Sequence, residues 1–321
     1  MDRRETLIKL TQTYAGNMKD AVAATAPDKR TWSPGGGARS ALAQMRECAQ
    51  ACDIFAGVLE TRAAGYAFDP VARQGRMDAQ RAATDFDAVS QELDSAVARF
   101  AAAVRELPAD AEGIEYEHAP GFRVSLRRAM MFPLRNLIYH EGQVNYIQTL
   151  YGDREMHGGA SNEIPFPDRD TVSELVEDGV NAIVRTARAT PEDKMTWSPE
   201  GQGRTILDMM EECRQSAGWG IGSLAAKDKF SFEGMDMEGV MAERAQTPDL
   251  DKWETELRRG HEAFIAAVRA FPAEDENLRA TPMPGWSLSM GDLAFYPGWN
   301  LYYHLGQINY VQCLYGDHEM H

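Results

Sequence analysis

Asn136, His140 and Gln143 stand at i, i+4 and i+7, and Asn300, His304 and Gln307 repeat that spacing in the second half of the chain. On a helix the three side chains of each set share one face. An imidazole between two amides can hydrogen-bond a ligand in a groove, with the asparagine orienting the ring. Tyr139 and Tyr303 add a neighbouring donor, though packing is the simpler role for them and for Tyr146, Tyr151, Tyr310 and Tyr315. No serine, cysteine or threonine accompanies the histidines at a spacing diagnostic of a nucleophile–base pair. Gly142 and Gly306 sit beside the sets in mid-helix, where glycine costs about 1 kcal/mol relative to alanine and signals close approach of another element. The acidic residues common to both halves on an earlier helix are Glu47 and Glu212. By helical angle they lie at its edge, facing either a groove or water.

The sets recur because a whole domain recurs. NLIYHEGQVNYIQTLYGDREMH (136–157) returns as NLYYHLGQINYVQCLYGDHEMH (300–321), and DKRTWSPGGGAR (28–39) returns as DKMTWSPEGQGR (193–204). Two anchor blocks at nearly one spacing mark a duplicated domain, far longer than the units of stacked solenoids. The sequence divides into domains at 1–157 and 167–321, with a linker at 158–166 centred on GGASN.

Each half reads as four helices. Leu7, Leu10, Tyr14, Met18 and Val22 give the first its helical stripe, repeated by Val172, Leu175, Val176, Val180 and Ile183. Trp32 and Trp197 follow, read as core plugs of the turn. Ser40 and Thr205 are natural N-caps for the second helix, which carries Leu42, Met45, Cys48, Cys52 and Phe55, or Ile206, Met210, Cys213 and Ala217. A polar connection leads to the third helix, ending before Pro108 or Pro272. A loop with a Pro-Gly pair then opens the fourth, which begins near Ser125 or Ser289 and ends at Gly152 or Gly316. Pro133 and Pro297 fall inside it and predict a bend ahead of Asn136 and Asn300. Beyond it, Asp153, Glu155 and His157, with copies Asp317, Glu319 and His321, read as a segment folding back on the helices. The fold class is all-α, two tandem four-helix bundles.

The order of these motifs (W-S-P-x-G-x-x-R-[ST], a polar residue seven beyond that Ser/Thr, PG-[FW], then N-x-x-x-H-x-G-Q) resembles the DinB-like (YfiT-like) superfamily over nearly all of both halves. The resemblance implies four-helix bundles that are often dimeric and hold a divalent metal on three histidines, one from the second helix and two from the fourth. Some relatives are thiol-dependent transferases or isomerases, and the family implies no DNA binding. Carried over by position, the ligand slots hold Glu47, Asn136 and His140 in one half and Glu212, Asn300 and His304 in the other. Only the last slot keeps its histidine. One nitrogen and two oxygens imply weak binding, with Mn²⁺ or Mg²⁺ gaining on Zn²⁺ or Ni²⁺. Because relatives dimerise, the duplication implies an intramolecular pseudo-dimer, with the two bundles related by a pseudo-two-fold axis.

A net charge of −16 opposes binding to nucleic acid and to anionic membranes. No apolar stretch reaches the length of a membrane span. The start, MDRRETLIKL, lacks the apolar run of a signal peptide. Of the four cysteines only Cys48 and Cys213 are equivalent, which speaks against a repeated disulfide framework and for free thiols in the cytoplasm. Two functions remain open. One is a metal-dependent hydrolase or transferase with an altered site in each half. The other is a non-catalytic bundle that has lost its metal and binds a small molecule or a protein.

Overall fold

The computed structural model describes residues 1–159, 162–199, 203–244, 249–319 and 321. The chain is mostly helical, in agreement with the all-α reading. It forms two compact units: 7–148 with 154–158, and 159–321 with 1–6 and 149–153. Of the expected linker, Ala160 and Ser161 lie outside the described residues.

In the N-terminal unit the long helices are α1 (Arg3–Ala24), α2 (Ala41–Glu60), α4 (Phe86–Glu106) and α6 (Phe132–Leu150), with the shorter α3 (Pro70–Arg81) and α5 (Leu126–Ala129) between them. Ser40 caps α2 by accepting from Ala43 N, which stops the preceding turn from fraying into the helix. The apolar stripe of α2 packs on α4, where Leu93, Phe100 and Val104 are fully buried. Gln148 fastens α6 to α1, donating to Ala21 O at 2.8 Å and to Thr25 Oγ1 at 3.0 Å.

The C-terminal unit repeats the plan with α7 (Arg169–Ala189), α8 (Ile206–Ala226), α9 (Met237–Arg244), α10 (Leu250–Ala270) and α11 (Met290–Leu314). Here α8 packs on α10 and α11, and α7 packs on the same two helices. Gln312 repeats the polar clasp on Thr186 O and Thr190 Oγ1, at 3.4 and 3.1 Å. Gly220 lets α8 close on its neighbours. A Cβ there would stand 2.7 Å from both Phe264 Cε2 and Pro297 Cγ.

Four features differ from the sequence reading. The polar connection after the second helix contains α3 and α9. Asp69 caps α3 and Pro70 opens it, an N-terminal signal that lies in plain view in the sequence. The Pro-Gly loop is an antiparallel hairpin, β1 (Glu115–Ala119) with β2 (Phe122–Ser125), turned at Gly121 with φ 74°; β3 (Arg279–Ala280) and β4 (Leu288–Ser289) are its copy. The fourth helix is interrupted at Met130 and Met131 in the first half, where Pro133 falls in the first turn of α6 and its missing N–H is harmless. In the second half α11 runs on through Pro297. Finally, Trp32 and Trp197 are half-buried rather than core plugs, each met by a lysine, Lys29 or Lys194, across the ring.

The described end of the expected linker is packed. Ile164 and Phe166 are buried, and Ile164 O accepts from Ser289 Oγ at 2.6 Å. Gly291 makes room for that backbone, since a Cβ there would overlap Ile164 O.

Candidate functional site

The site of each unit lies between its second and fourth long helices. In the C-terminal unit Thr205 caps α8, accepting from Asp208 N. Two turns further, Glu212 points at α11. Cys213, beside it, is fully buried against α11, its Sγ 4.0 Å from Asn300 O. His304 and Asn300, one turn apart on α11, both turn to Glu212 Oε1. Nε2 of His304 lies at 3.2 Å, and Asn300 Nδ2 donates at 3.2 Å. On the far side of the ring, Nδ1 is 2.8 Å from Gln307 Oε1. His304 and Asn300 are fully buried.

The N-terminal unit repeats the geometry. His140 Nε2 lies 3.3 Å from Glu47 Oε1, and its Nδ1 lies 2.9 Å from Gln143 Oε1. Cys48 Sγ is 3.9 Å from Asn136 O. Thus the structure brings together Glu47 with His140, and Glu212 with His304 and Asn300. Tyr139 and Tyr303 stand edge-on to the two imidazoles, a packing contact. The tail residues stay apart from this site. His157 is held by Asn145, which donates to its carbonyl and accepts from its N–H, as a fold-back segment requires. His321 pairs with Asp317 at 3.0 Å.

The arginines were the residues without an assigned role. Arg39 and Arg204 immediately precede the N-caps, and each reaches two turns along its helix to the carboxylate. Arg204 Nη2 donates to Glu212 Oε2 at 2.6 Å, and Arg39 is ion-paired with Glu47 Oε2. Their recurrence in both WSP blocks, eight residues ahead of each glutamate, was the signal available in the sequence. The short helices complete the cover. Arg244 of α9 donates to Glu212 Oε2 at 2.8 Å and to Gln215 Oε1 at 2.8 Å. In the first unit Gln80 of α3 takes this place, accepting from Arg39 at 2.6 Å and donating to Gln50, the counterpart of Gln215, at 2.8 Å.

The electrostatics follow from burial and these partners. Burial alone would raise the Glu212 carboxyl, but His304, Arg204 and Arg244 together hold it well below the ordinary carboxylate range. Burial, with Arg39 adding to it, pushes His140 down to about 3. The neighbouring thiols are inert. Burial pushes Cys52 up to about 12 and Cys48 and Cys213 well above their usual value, and all four cysteines are free.

The donor set does not fit a divalent ion as arranged. Glu212 already accepts from two guanidinium groups, one amide and one imidazole, which occupies both of its oxygens. A guanidinium at contact distance also repels a cation. At an effective dielectric of 20, two unit charges 4 Å apart interact by about 4 kcal/mol, and a dication doubles that. Among the described residues no three His, Cys, Asp or Glu side chains cluster so as to hold a metal. One observation runs the other way. Oδ1 of Asn136 and of Asn300 is buried and finds no hydrogen-bond partner among the described residues.

Among the described residues no helix is long and apolar enough to cross a membrane. No protein-family model, no curated protein and no solved structure matches this chain.

Proposed function

We propose that the chain is a tandem pair of DinB-like four-helix bundles in which guanidinium groups stand where the superfamily holds its metal, and that it is a binding protein and not a metal-dependent enzyme. The meeting of all three slot residues in the C-terminal unit, and of Glu47 with His140 in the N-terminal one, supports the DinB-like reading. The observation that carries the functional half is the arginine on each carboxylate: Arg39 on Glu47, and Arg204 with Arg244 on Glu212. A carboxylate held largely out of water needs a counter-charge, and here arginine side chains provide it through ion pairs. The histidines then serve as hydrogen-bonded members of a polar network, which fixes how the helices register.

Metal analysis of freshly purified protein tests this reading. The expected result is no stoichiometric Zn, Mn, Ni or Mg, with a melting temperature unchanged by chelator or by added Zn²⁺ or Mn²⁺. Two tightly held ions per chain, one lost in each of His140→Ala and His304→Ala, would overturn it. The alternative, a weakly held metal acting as a Lewis acid, draws on the unpartnered Asn136 and Asn300 oxygens. That reading requires the arginines to swing away from the carboxylates, which the same melting measurements would register as metal-dependent stabilisation.

A further inference from the structure

The two units differ most sharply on the outer face of the second long helix. In the N-terminal unit this face is closed by charge. Arg99 of α4 lies across α2, pairing with Asp53 and with Glu60, the latter at 2.6 Å, and its Nη2 covers Gly57 at 3.6 Å from a Cβ built there. The corresponding positions in the C-terminal unit, counted along helices of matching register, are Gly218, Ala225 and Ala263. All three members of the ion-pair lattice are replaced by residues with almost no side chain, and Ile54 becomes Trp219.

What remains is a cleft of about 670 Å³ between α8 and the segment leading into α9. Gly218 and Gly222 form its floor, with nothing described within 4 Å of a Cβ at either. Trp219, Phe230, Met235 and Val240 form its walls. Phe232 links the aromatic side, its ring 5.8 Å from Trp219, 5.3 Å from Phe230 and 6.4 Å from Trp286. Trp286 and Met235 keep 39% and 38% of their surface exposed, so apolar area stays open beside the cleft. One cation and one anion, Lys229 and Glu233, stand among the lining residues.

We infer that this cleft is a binding site for a small, uncharged, planar aromatic molecule. The volume falls within the roughly 300–1,000 Å³ of small-molecule sites. A bare helical floor between glycines four residues apart admits a flat ring against the backbone, and aromatic walls favour stacked or edge-on rings. Among the described lining residues the two opposite charges sum to no net charge that would select an ion. A net charge of −16 on the chain opposes anions further. The inference stands apart from the metal question, since none of the lining residues is one of the six slot residues.

The test uses the full chain and N-phenyl-1-naphthylamine, an uncharged fluorophore with a planar naphthalene ring. Saturable fluorescence enhancement at one molecule per chain is expected, with energy transfer from tryptophan. Gly218→Leu and Gly222→Leu should each weaken binding at least tenfold while leaving the melting temperature unchanged or raised, because both sites are open and leucine is the better helix former. Gly57→Leu, at the covered position of the other unit, should leave the affinity unaltered. An absence of saturable binding would overturn the inference, as would an affinity in Gly218→Leu and Gly222→Leu equal to that of the unsubstituted chain. A tenfold preference for the anionic 8-anilinonaphthalene-1-sulfonate would overturn the uncharged class.

Discussion

Glu212 and His304 meet at 3.2 Å, and Glu47 and His140 meet at 3.3 Å. The pairing survived duplication although the two covers over it differ, Arg244 of α9 in one unit and Gln80 of α3 in the other. The difference predicts a ranking. Glu212→Gln removes the carboxylate that Arg204 and Arg244 share, Arg204 keeping only Asp208, and should destabilise the chain by about 1–3 kcal/mol. Glu47→Gln uncovers only Arg39 and should cost less. Urea unfolding of the full chain, followed by circular dichroism, would measure both; equal losses would contradict the ranking.

Removing the guanidinium groups should reverse the metal behaviour. Arg204→Ala with Arg244→Ala frees Glu212 Oε2, leaving a carboxylate, an imidazole and an amide oxygen on facing helices. Zn²⁺ binding is expected in this double variant and not in the parent, and should vanish again on adding His304→Ala. Isothermal titration with Zn²⁺ reads each step.

Acidification should act through buried imidazoles. His261 is fully buried, its Nδ1 donating to Leu257 O at 2.8 Å, and burial pushes it down to about 4. Its folded value lies below its unfolded one, so the unfolded chain takes up the proton first. The stabilisation is complete above about pH 6.5 and is lost as the pH falls toward 4, by about 3 kcal/mol. His140, pushed down to about 3, adds a loss of the same sign over a window reaching about one unit lower. Ser216, 3.4 Å from His261 Nε2, and His261 correspond to Ala51 and Val97 in the first unit. The double variant Ser216→Ala/His261→Val should therefore fold and show a shallower loss between pH 6.5 and 4 in urea titrations.

Helix contact should decide the sign of two glycine substitutions. Gly220→Ala drives a Cβ into the Phe264 ring and Pro297, neither of which can yield freely, and should cost about 1–3 kcal/mol. Gly16→Ala, on α1 with nothing described within 4 Å, should gain up to about 1 kcal/mol from helix propensity. Melting temperatures of the two variants must move in opposite directions.

Much of this protein was legible in its sequence because the determinants are local. The 3.6-residue stripes gave the long helices, and Ser40, Thr205 and Ser289 marked where three of them begin, since a cap depends only on its own next turn. The i, i+4, i+7 spacing placed Asn300, His304 and Gln307 on one face, while the pairing of that face with Glu212 came only from the family resemblance. Distance along the chain hid the rest. Arg244 reaches Glu212 only because α9 folds across α8, and nothing in the residues between them encodes that path as a pattern. Whether a carboxylate on a helix edge meets water, a metal or a guanidinium depends on which cation the packing brings within about 3 Å. Packing likewise exposed the cleft over Gly218 and Gly222, because an open face appears only when the side chain that would have covered it, Arg99 in the first unit, has no counterpart on the facing helix.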